Sequence, residues 1–191
     1  MSEDRVQAIA IGASAGAIQA LSRILPALPA SYPIPVLVIV HIPADHSDLL
    51  APLFQAKCRV VVKEAEDKEP ILPGFVYFGP SDYHLLVEAD HTVSLSSDEP
   101  VLYSRPSIDV LFESAADAYG EGLVGVILTG ANEDGAQGLQ AVVAAGGTAL
   151  AEDPAEAFAP AMPSAALARC AGVRSMSLDA IAAYLVDLGA S

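Results

Sequence analysis

The chain has 191 residues, of which 53% are hydrophobic, and its 24 acidic and 9 basic residues give a formal net charge of −15. This length predicts one domain over residues 1–191 with a sizeable core. The negative charge argues strongly against nucleic acid as a partner, and no apolar run reaches the roughly 20 residues that cross a bilayer. The acidic start does not resemble a secretory signal, and the two cysteines provide no disulfide framework. We therefore expect a cytoplasmic protein that is not an integral membrane protein.

The first predicted elements surround a serine. Residues 6–11 form an apolar run, residues 12–16 read GASAG, and an alanine-rich helical pattern follows, which together predict a buried strand, a tight turn and a helix. Ser14 stands at the end of the strand, where the start of a helix suits an oxyanion or a phosphate. Ser14 is therefore a candidate nucleophile, or alternatively only the N-cap of the helix. A phosphate site is the weaker alternative, because the lysine of a P-loop is missing.

Strands and helices alternate after this turn, with proline-rich and charged loops between them. The clearest buried strand is Val36–Val40, and His41 stands at its end. The other elements predicted here are a first helix ending near Leu25 and Pro26, a second helix capped by Asp45 or Ser47, and a strand over residues 59–63.

The pattern changes over residues 74–95, where short apolar runs are separated by turn sequences. The runs at 75–78, 85–88 and 92–95 predict a hairpin-like unit attached to the main sheet. His84 and His91 lie in this region without ligand spacing to another candidate. We therefore expect both histidines to be structural or exposed.

The second half of the chain resumes the alternation. A helix over residues 107–118 is expected to have Ser107 as its N-cap and Asp109 as a favourable charge near its start. The remaining predicted elements are a strand over 122–128, its exit loop over 129–135, a helix stopped by Gly146 and Gly147, a strand over 148–151 and a final helix Leu178–Leu188.

This alternation predicts an α/β fold, a three-layer α/β/α arrangement with a doubly wound, mostly parallel sheet and a small antiparallel hairpin. Ligands of such sheets bind beyond the carboxyl ends of the strands. Ser14, His41 and Asp134 each follow a predicted strand, so they can meet at one edge of the sheet. Together they would supply an attacking hydroxyl, a base that titrates near neutrality and a carboxylate that orients this base.

Spacing alone does not select the acid of this trio. The competitors are Glu133, Asp45, Asp109 and Asp153. A metal site at His41, Asp45 and His46 is a weaker alternative, because no second cluster of ligands accompanies it. The order serine, histidine, acid also differs from the serine, acid, histidine order of α/β-hydrolases, so we do not expect an ordinary α/β-hydrolase.

Four segments carry a resemblance to a known family. They are IGASAGAIQAL, the histidine after VLVIV, RPSIDVLFESAA and GVILTGANEDGAQGL, in this order. With these motifs the chain resembles the catalytic domain of the chemotaxis protein-glutamate methylesterase, CheB, over nearly its whole length. The resemblance implies a single catalytic domain that hydrolyses γ-glutamyl methyl esters on chemoreceptor helices to glutamate and methanol. Some members of that family also deamidate glutamine residues of the receptor.

The same resemblance implies a role for each candidate residue. Ser14 would be the nucleophile, His41 the general base and acid, and Asp134 the third member of the triad. Backbone N–H groups near Ala15 and Ala131 would hold the oxyanion. No cofactor and no metal would be needed, and the partner would be a methyl-accepting chemoreceptor or a related methylated protein.

The chain departs from the family pattern close to these residues. Ala17 replaces the second glycine of Ser-x-Gly-Gly, Val40 the glutamine often found before the histidine, Ala131-Asn132 the Met-Gly of the acid loop, and Ala161 the glycine before Met-Pro. These departures leave open a second interpretation, a non-catalytic signalling or binding module that keeps the fold. Regulated members carry an N-terminal receiver domain whose phosphorylation uncovers the active site, and we expect none ahead of the first strand here. The chain is then either an excised catalytic domain or a stand-alone form that is controlled in another way.

Overall fold

The structure is a computed structural model that describes residues 5–191, except for the side chains of residues 44 and 47. The strands are β1 (Ala8–Ala13), β2 (Val36–Val40), β3 (Val61–Glu64), β4 (Phe75–Phe78), β5 (His84–Val87), β6 (Val93–Ser96), β7 (Leu123–Ile127), β8 (Thr148–Glu152) and β9 (Arg174–Met176). The helices are α1 (Ala17–Ile24), α2 (Leu50–Gln55), α3 (Ile108–Tyr119), α4 (Ala136–Ala144), α5 (Ala161–Arg169) and α6 (Leu178–Leu188). Short 3₁₀ turns cover Leu25–Ala27, Ala44–Leu49 and Gly120–Gly122.

A parallel sheet of seven described strands organises the fold, in the order β3-β4-β2-β1-β7-β8-β9. Strands β5 and β6 pair antiparallel as a separate hairpin. The chain winds outward from β1 in both directions, since β2 lies on one side of it and β7 on the other. This arrangement confirms the predicted doubly wound α/β fold with a small hairpin. The switch in winding places the carboxyl ends of β1, β2 and β7 around a crevice where ligands of such sheets bind.

Both faces of the sheet are buried, which explains the continuous apolar runs in its strands. Successive residues of a strand point to opposite faces. Ile9 and Ile11 therefore belong to the core under α1, α2 and α6, whereas Ala8 and Ala10 belong to the core under α3, α4 and α5. The small residues of β1 let α3 approach closely, because a Cβ atom at Gly12 would lie 2.4 Å from Cγ2 of Ile108.

Several elements differ from the sequence-based expectation. Strand β4 belongs to the main sheet, between β2 and β3, and only β5 and β6 form the hairpin. Helix α5 and the edge strand β9 were not predicted, since β9 has three residues and an apolar content too low to signal a strand. Strand β1 extends to Ala13, beyond the predicted end at residue 11, because Ala13 still pairs with Val40 of β2.

The predicted cap of the second helix is wrong for Asp45. A 3₁₀ turn precedes α2, and Leu49 is the residue before the helix, without a side-chain cap. The carboxylate of Asp45 instead contacts Nδ1 of His46 at 3.0 Å. The side chain of Ser47, the alternative cap, lies outside the described part of the structure.

The helices of residues 5–191 are too short or too polar to span a bilayer.

Candidate active site

The turn after β1 presents Ser14 at the edge of the sheet. The N–H of Ala17 donates to the carbonyl oxygen of Ser14 at 2.9 Å, and Gly16 has φ 85° and ψ 6°, which together describe a type II turn. Glycine is needed at position 16 for this positive φ, and a Cβ atom there would lie 2.9 Å from Cβ of Phe158. Helix α1 is preceded by Gly16 and has no side-chain cap, so the alternative role of Ser14 as N-cap is wrong.

Backbone register brings Ser14 and His41 side by side. Ala13 pairs with Val40, and the N–H of His41 donates to the carbonyl oxygen of Ala13 at 3.0 Å. On the other side of β1, the N–H of Ser14 donates to the carbonyl oxygen of Thr129 at 2.9 Å. Parallel pairing thus carries the ends of β1, β2 and β7 to the same point of the sheet edge, as the sequence predicted.

Asp134 is fully buried and accepts hydrogen bonds from the first turn of α3. Its Oδ1 accepts from Oγ of Ser107 at 2.9 Å and from the N–H of Asp109 at 3.0 Å, and its Oδ2 accepts from the N–H of Ile108 at 2.7 Å. Nε2 of His41 lies 2.8 Å from the same Oδ2. The carboxylate therefore caps α3 and approaches the imidazole at the same time.

Both predictions about the start of α3 are confirmed in position, but the two side chains contact other groups than expected. Ser107 does occupy the N-cap position, but its hydroxyl makes no cap bond within α3 and donates to Asp134 instead. Asp109 lies in the first turn of α3, but its Oδ1 accepts from the N–H groups of Gly135 and Gly138 at the start of α4. Asp134, just before α4, thus caps α3, while Asp109 of α3 caps α4. Rules based on neighbouring residues do not predict such contacts between helices.

The environment of Asp134 favours its charged form. Burial by itself would raise the pKa of this carboxyl, but the contact with His41 and the N–H groups of Asp109 and Ile108 outweigh burial and hold the pKa below its ordinary value. Asp134 is therefore an anion at any pH near neutrality. A fixed negative charge next to an imidazole stabilises the protonated ring.

The three side chains are gathered but not yet linked in a continuous chain of hydrogen bonds. Oγ of Ser14 accepts from the N–H of Ala131 at 3.1 Å. Neither ring nitrogen of His41 has a well-directed hydrogen bond to any described residue, although Nε2 is within ion-pair distance of Asp134. Catalytic hydrogen bonds are often loose without substrate and tighten when it binds.

The competing acids lie elsewhere. Glu133 and Asp45 are exposed, and Oδ1 of Asp153 accepts from the N–H of Ala155. His46 pairs with Asp45 at the surface rather than with His41, and residues 5–191 hold no group of three side chains placed to share a metal ion. His84 is buried, with Nδ1 accepting from the N–H of Ser107, which confirms its structural role.

An open cleft of about 420 Å³ leads to Ser14 and His41. Its walls are largely apolar, formed by Ile18, Ile42, Pro43 and Phe158. Phe158 is 75% exposed yet packs over Gly16, and no pattern in the sequence singled it out. The cleft therefore offers an apolar surface beside the hydroxyl of Ser14.

The departures from the family pattern are accommodated locally. Ala17 is buried as the first residue of α1, and Val40 is buried at the end of β2. Oδ1 of Asn132 accepts from the N–H of Asp134 at 3.0 Å, which stabilises the turn that carries the acid. Ala161 begins α5.

The pKa of Asp109, the buried carboxyl next to Asp134, leads to a prediction about stability. Burial, followed by repulsion from Asp134 and Glu113, raises the pKa of Asp109 from 3.8 to about 6, against the hydrogen bonds from Gly138 and Gly135. A raised pKa means that its contribution to stability is complete below pH 4 and is lost as the pH rises through 6. Asp109→Asn keeps an acceptor oxygen and cannot ionise. The amide is a weaker acceptor than a carboxylate for the N–H groups of Gly135 and Gly138, which offsets part of the gain. We therefore expect Asp109→Asn to be about 1–2 kcal/mol more stable than the wild type above pH 6.

Urea unfolding between pH 4 and 8 measures this difference. Asp117→Asn, an exposed substitution on the same helix, should reproduce the wild-type profile. Identical pH profiles for Asp109→Asn and the wild type would contradict the raised pKa.

A doubly wound parallel sheet with a serine, a histidine and a buried aspartate at its carboxyl edge defines an α/β protein with a hydrolase-type site. Comparison with known proteins identifies the family: the CheB methylesterase family matches residues 9–185, and the chain belongs to it.

Individual relatives agree with this assignment. A protein of Leptospira interrogans, provisionally named protein-glutamate methylesterase/protein-glutamine glutaminase, is 46% identical over 95% of this chain and 94% of its own length. The protein-glutamate methylesterase/protein-glutamine glutaminase of Chromohalobacter salexigens is 39% identical over 93% of this chain, which spans only 51% of that relative. The crystal structure of the Thermotoga maritima CheB methylesterase catalytic domain superposes with a TM-score of 0.91 at 33% identity, covering 95% of this chain and 98% of that one.

Proposed function

We propose that this chain is a serine esterase that hydrolyses glutamyl methyl esters of a methyl-accepting chemoreceptor, or of a related methylated protein, in chemotaxis signalling. Deamidation of protein glutamine is proposed as its second reaction. The observation that carries the proposal is the meeting of Ser14, His41 and Asp134 at one sheet edge in a member of the CheB methylesterase family. The names of the relatives support the substrate class.

The first half of the reaction is acyl transfer to Ser14. Its Oγ attacks the ester carbonyl carbon, and His41 accepts the hydroxyl proton. Because Nε2 of His41 faces Asp134, Nδ1 is the ring nitrogen left for this proton. The anionic Asp134 stabilises the imidazolium, which then protonates the departing methoxide so that methanol leaves.

The oxyanion of the tetrahedral intermediate needs preorganised donors. In the resting site the N–H of Ala131 donates to Oγ of Ser14, which places this donor beside the atom that attacks. When Oγ bonds to carbon it no longer needs this donor, and the N–H of Ala131 can turn to the new oxyanion, together with the N–H of Ala15. Water activated by His41 then hydrolyses the acyl-enzyme to glutamate and free Ser14.

Every step uses water and groups of the chain, so the proposed reaction requires no cofactor. The residues proposed to act in it lie around one sheet, which supports the proposal that residues 1–191 form one catalytic domain. Cys58 and Cys170 are free thiols, in keeping with the proposed cytoplasmic location.

Methylated receptor membranes and a serine-directed fluorophosphonate test the proposal together. The wild type should release methanol from the membranes, the fluorophosphonate should block this release, and peptide mass spectrometry should place the adduct on Ser14. Labelling should disappear in His41→Ala, because the hydroxyl then lacks its base. Tight receptor binding without methanol release or labelling would instead favour a non-catalytic binding module.

A further inference from the structure

Thr129, in the loop after β7, is hydrogen-bonded to two other segments of the site, the turn after β1 and the segment at Ala159. Its hydroxyl donates to the carbonyl oxygen of Ala15 at 2.8 Å and accepts from the N–H of Ala159 at 2.8 Å. Its carbonyl oxygen accepts from the N–H of Ser14 at 2.9 Å. The side chain is almost fully buried, so none of these partners is readily replaced by bulk water. Thr129 takes no part in the proton transfers or the oxyanion binding of the proposed reaction.

The bond to Ala15 acts on the turn that holds the nucleophile. Ala15 and Gly16 are the two central residues of the type II turn that begins at Ser14, and the peptide between them is free to flip in many turns. With the carbonyl oxygen of Ala15 held by Thr129, the N–H of Gly16 at the other end of this planar peptide must point away from Thr129. The hydroxyl of Thr129 therefore locks one orientation of the turn.

The bond to Ala159 acts on the wall of the cleft. Ala159 follows Phe158, and its carbonyl oxygen also accepts from the N–H of Gly130 at 3.0 Å. Phe158 in turn packs over Gly16. One buried hydroxyl thus holds both the turn of the nucleophile and the aromatic side chain that covers it.

Glu152 fixes Thr129 from behind. This residue ends β8, is 2% exposed, and its Oε2 accepts from the N–H of Thr129 at 2.8 Å. Burial, together with repulsion from Glu156 and Asp153, raises the pKa of Glu152 against this hydrogen bond. Glu152 is thus buried in spite of the unfavourable environment for its charge, and its hydrogen bond fixes the backbone of Thr129.

We propose that Thr129, held by Glu152, is a positioning residue of this esterase, whose hydroxyl sets the turn of Ser14 and the Phe158 wall in the orientation that attack requires. The inference rests on the proposed function, because it concerns the rate of the same reaction. It predicts an effect on kcat rather than on KM, since the hydroxyl is buried and bonds to backbone groups of Ala15 and Ala159 rather than facing the cleft.

Thr129→Val tests the proposal because it keeps the shape of the side chain and removes only the hydroxyl. A displacement of about 1 Å in a catalytic group costs up to about 100-fold in rate, so we expect kcat for p-nitrophenyl acetate to fall about 10- to 100-fold with KM within about twofold. The second-order rate of labelling by the fluorophosphonate should fall by the same factor. Thr129→Ser restores the hydroxyl and should keep kcat within about threefold of the wild type.

Ser114→Ala is the matched control, because the hydroxyl of Ser114, which is half-buried, has the same pattern of bonds: it accepts from the backbone N–H of Val87 and donates to the carbonyl oxygen of Leu111. It should lose comparable stability and keep full activity. If Thr129→Val does not fold, as judged by circular dichroism, Glu152→Leu and Glu152→Gln replace it. We then expect about a 10-fold loss of kcat for the leucine and near wild-type activity for the glutamine, which keeps an acceptor for Thr129.

The outcomes separate this inference from the proposed function. Wild-type kcat in folded Thr129→Val, or an equal loss in Ser114→Ala, overturns the positioning role while Ser14-dependent activity stands. Activity that survives in Ser14→Ala overturns the proposed function itself, whatever Thr129→Val does.

Discussion

Asp134→Ala should lower kcat for methyl ester hydrolysis about 10⁴-fold and destabilise the fold by about 3–5 kcal/mol. The catalytic loss follows because His41 loses the anion 2.8 Å from its Nε2. The loss of stability follows because the hydroxyl of Ser107 and the N–H groups of Ile108 and Asp109 all donate to this carboxylate in a fully buried place. Urea unfolding and methanol release measure the two effects.

Asp134→Asn separates these roles. The amide keeps one acceptor oxygen for α3, so about 1–3 kcal/mol of stability should be lost instead. Its NH₂ group faces either the N–H of Ile108 with Nε2 of His41, or the hydroxyl of Ser107 with the N–H of Asp109. In both orientations the imidazolium has no counter-charge, so activity should remain about 10³- to 10⁴-fold low. Glu133→Gln, the exposed neighbour in the same loop, should change neither quantity. Stability and activity of Asp134→Ala close to those of the wild type would refute the assignment of this acid.

Ser14→Ala is expected to reduce kcat for methanol release by about 10⁴- to 10⁶-fold, the range found when the nucleophile of a serine hydrolase is removed. The free energy of unfolding should change by about 1 kcal/mol or less, since within the described part of the chain the hydroxyl makes a single hydrogen bond, from the N–H of Ala131. The combination of a large kinetic effect with a small effect on stability identifies a reacting group rather than a structural one.

Ser22→Ala is the control for Ser14→Ala, because Ser22 lies on α1 and its hydroxyl accepts from Nζ of Lys57 at the surface. It should behave as the wild type. Equal methanol release by the wild type and by Ser14→Ala would rule out catalysis by this site and leave the fold as a binding module.

The meeting of the candidate residues at one sheet edge was predictable because parallel strands bring their carboxyl ends together whatever the length of chain between them. Val36–Val40 is observed at its predicted bounds, and the register of β1 with β2 places His41 beside Ser14. Asp134 lies seven residues beyond β7, and sequence spacing alone could not choose it over its competitors. The approach of its Oδ2 to within 2.8 Å of Nε2 of His41 supports the proposal that it is the acid.

The apolar runs of the chain were sufficient to predict buried parallel strands, the α/β class and the edge at which the candidate residues meet, because side-chain periodicity and strand direction are local properties. Other features depend on folding: the place of β4 in the main sheet, the exchange of caps between Asp134 and Asp109, the bond from Ala131 to Ser14, and the four contacts of Thr129. Each depends on contacts between segments that are not adjacent in the sequence. Such hydrogen bonds form because folding brings their groups together and because buried donors and acceptors must be paired. Neither condition can be read from the residues that are neighbours in the sequence.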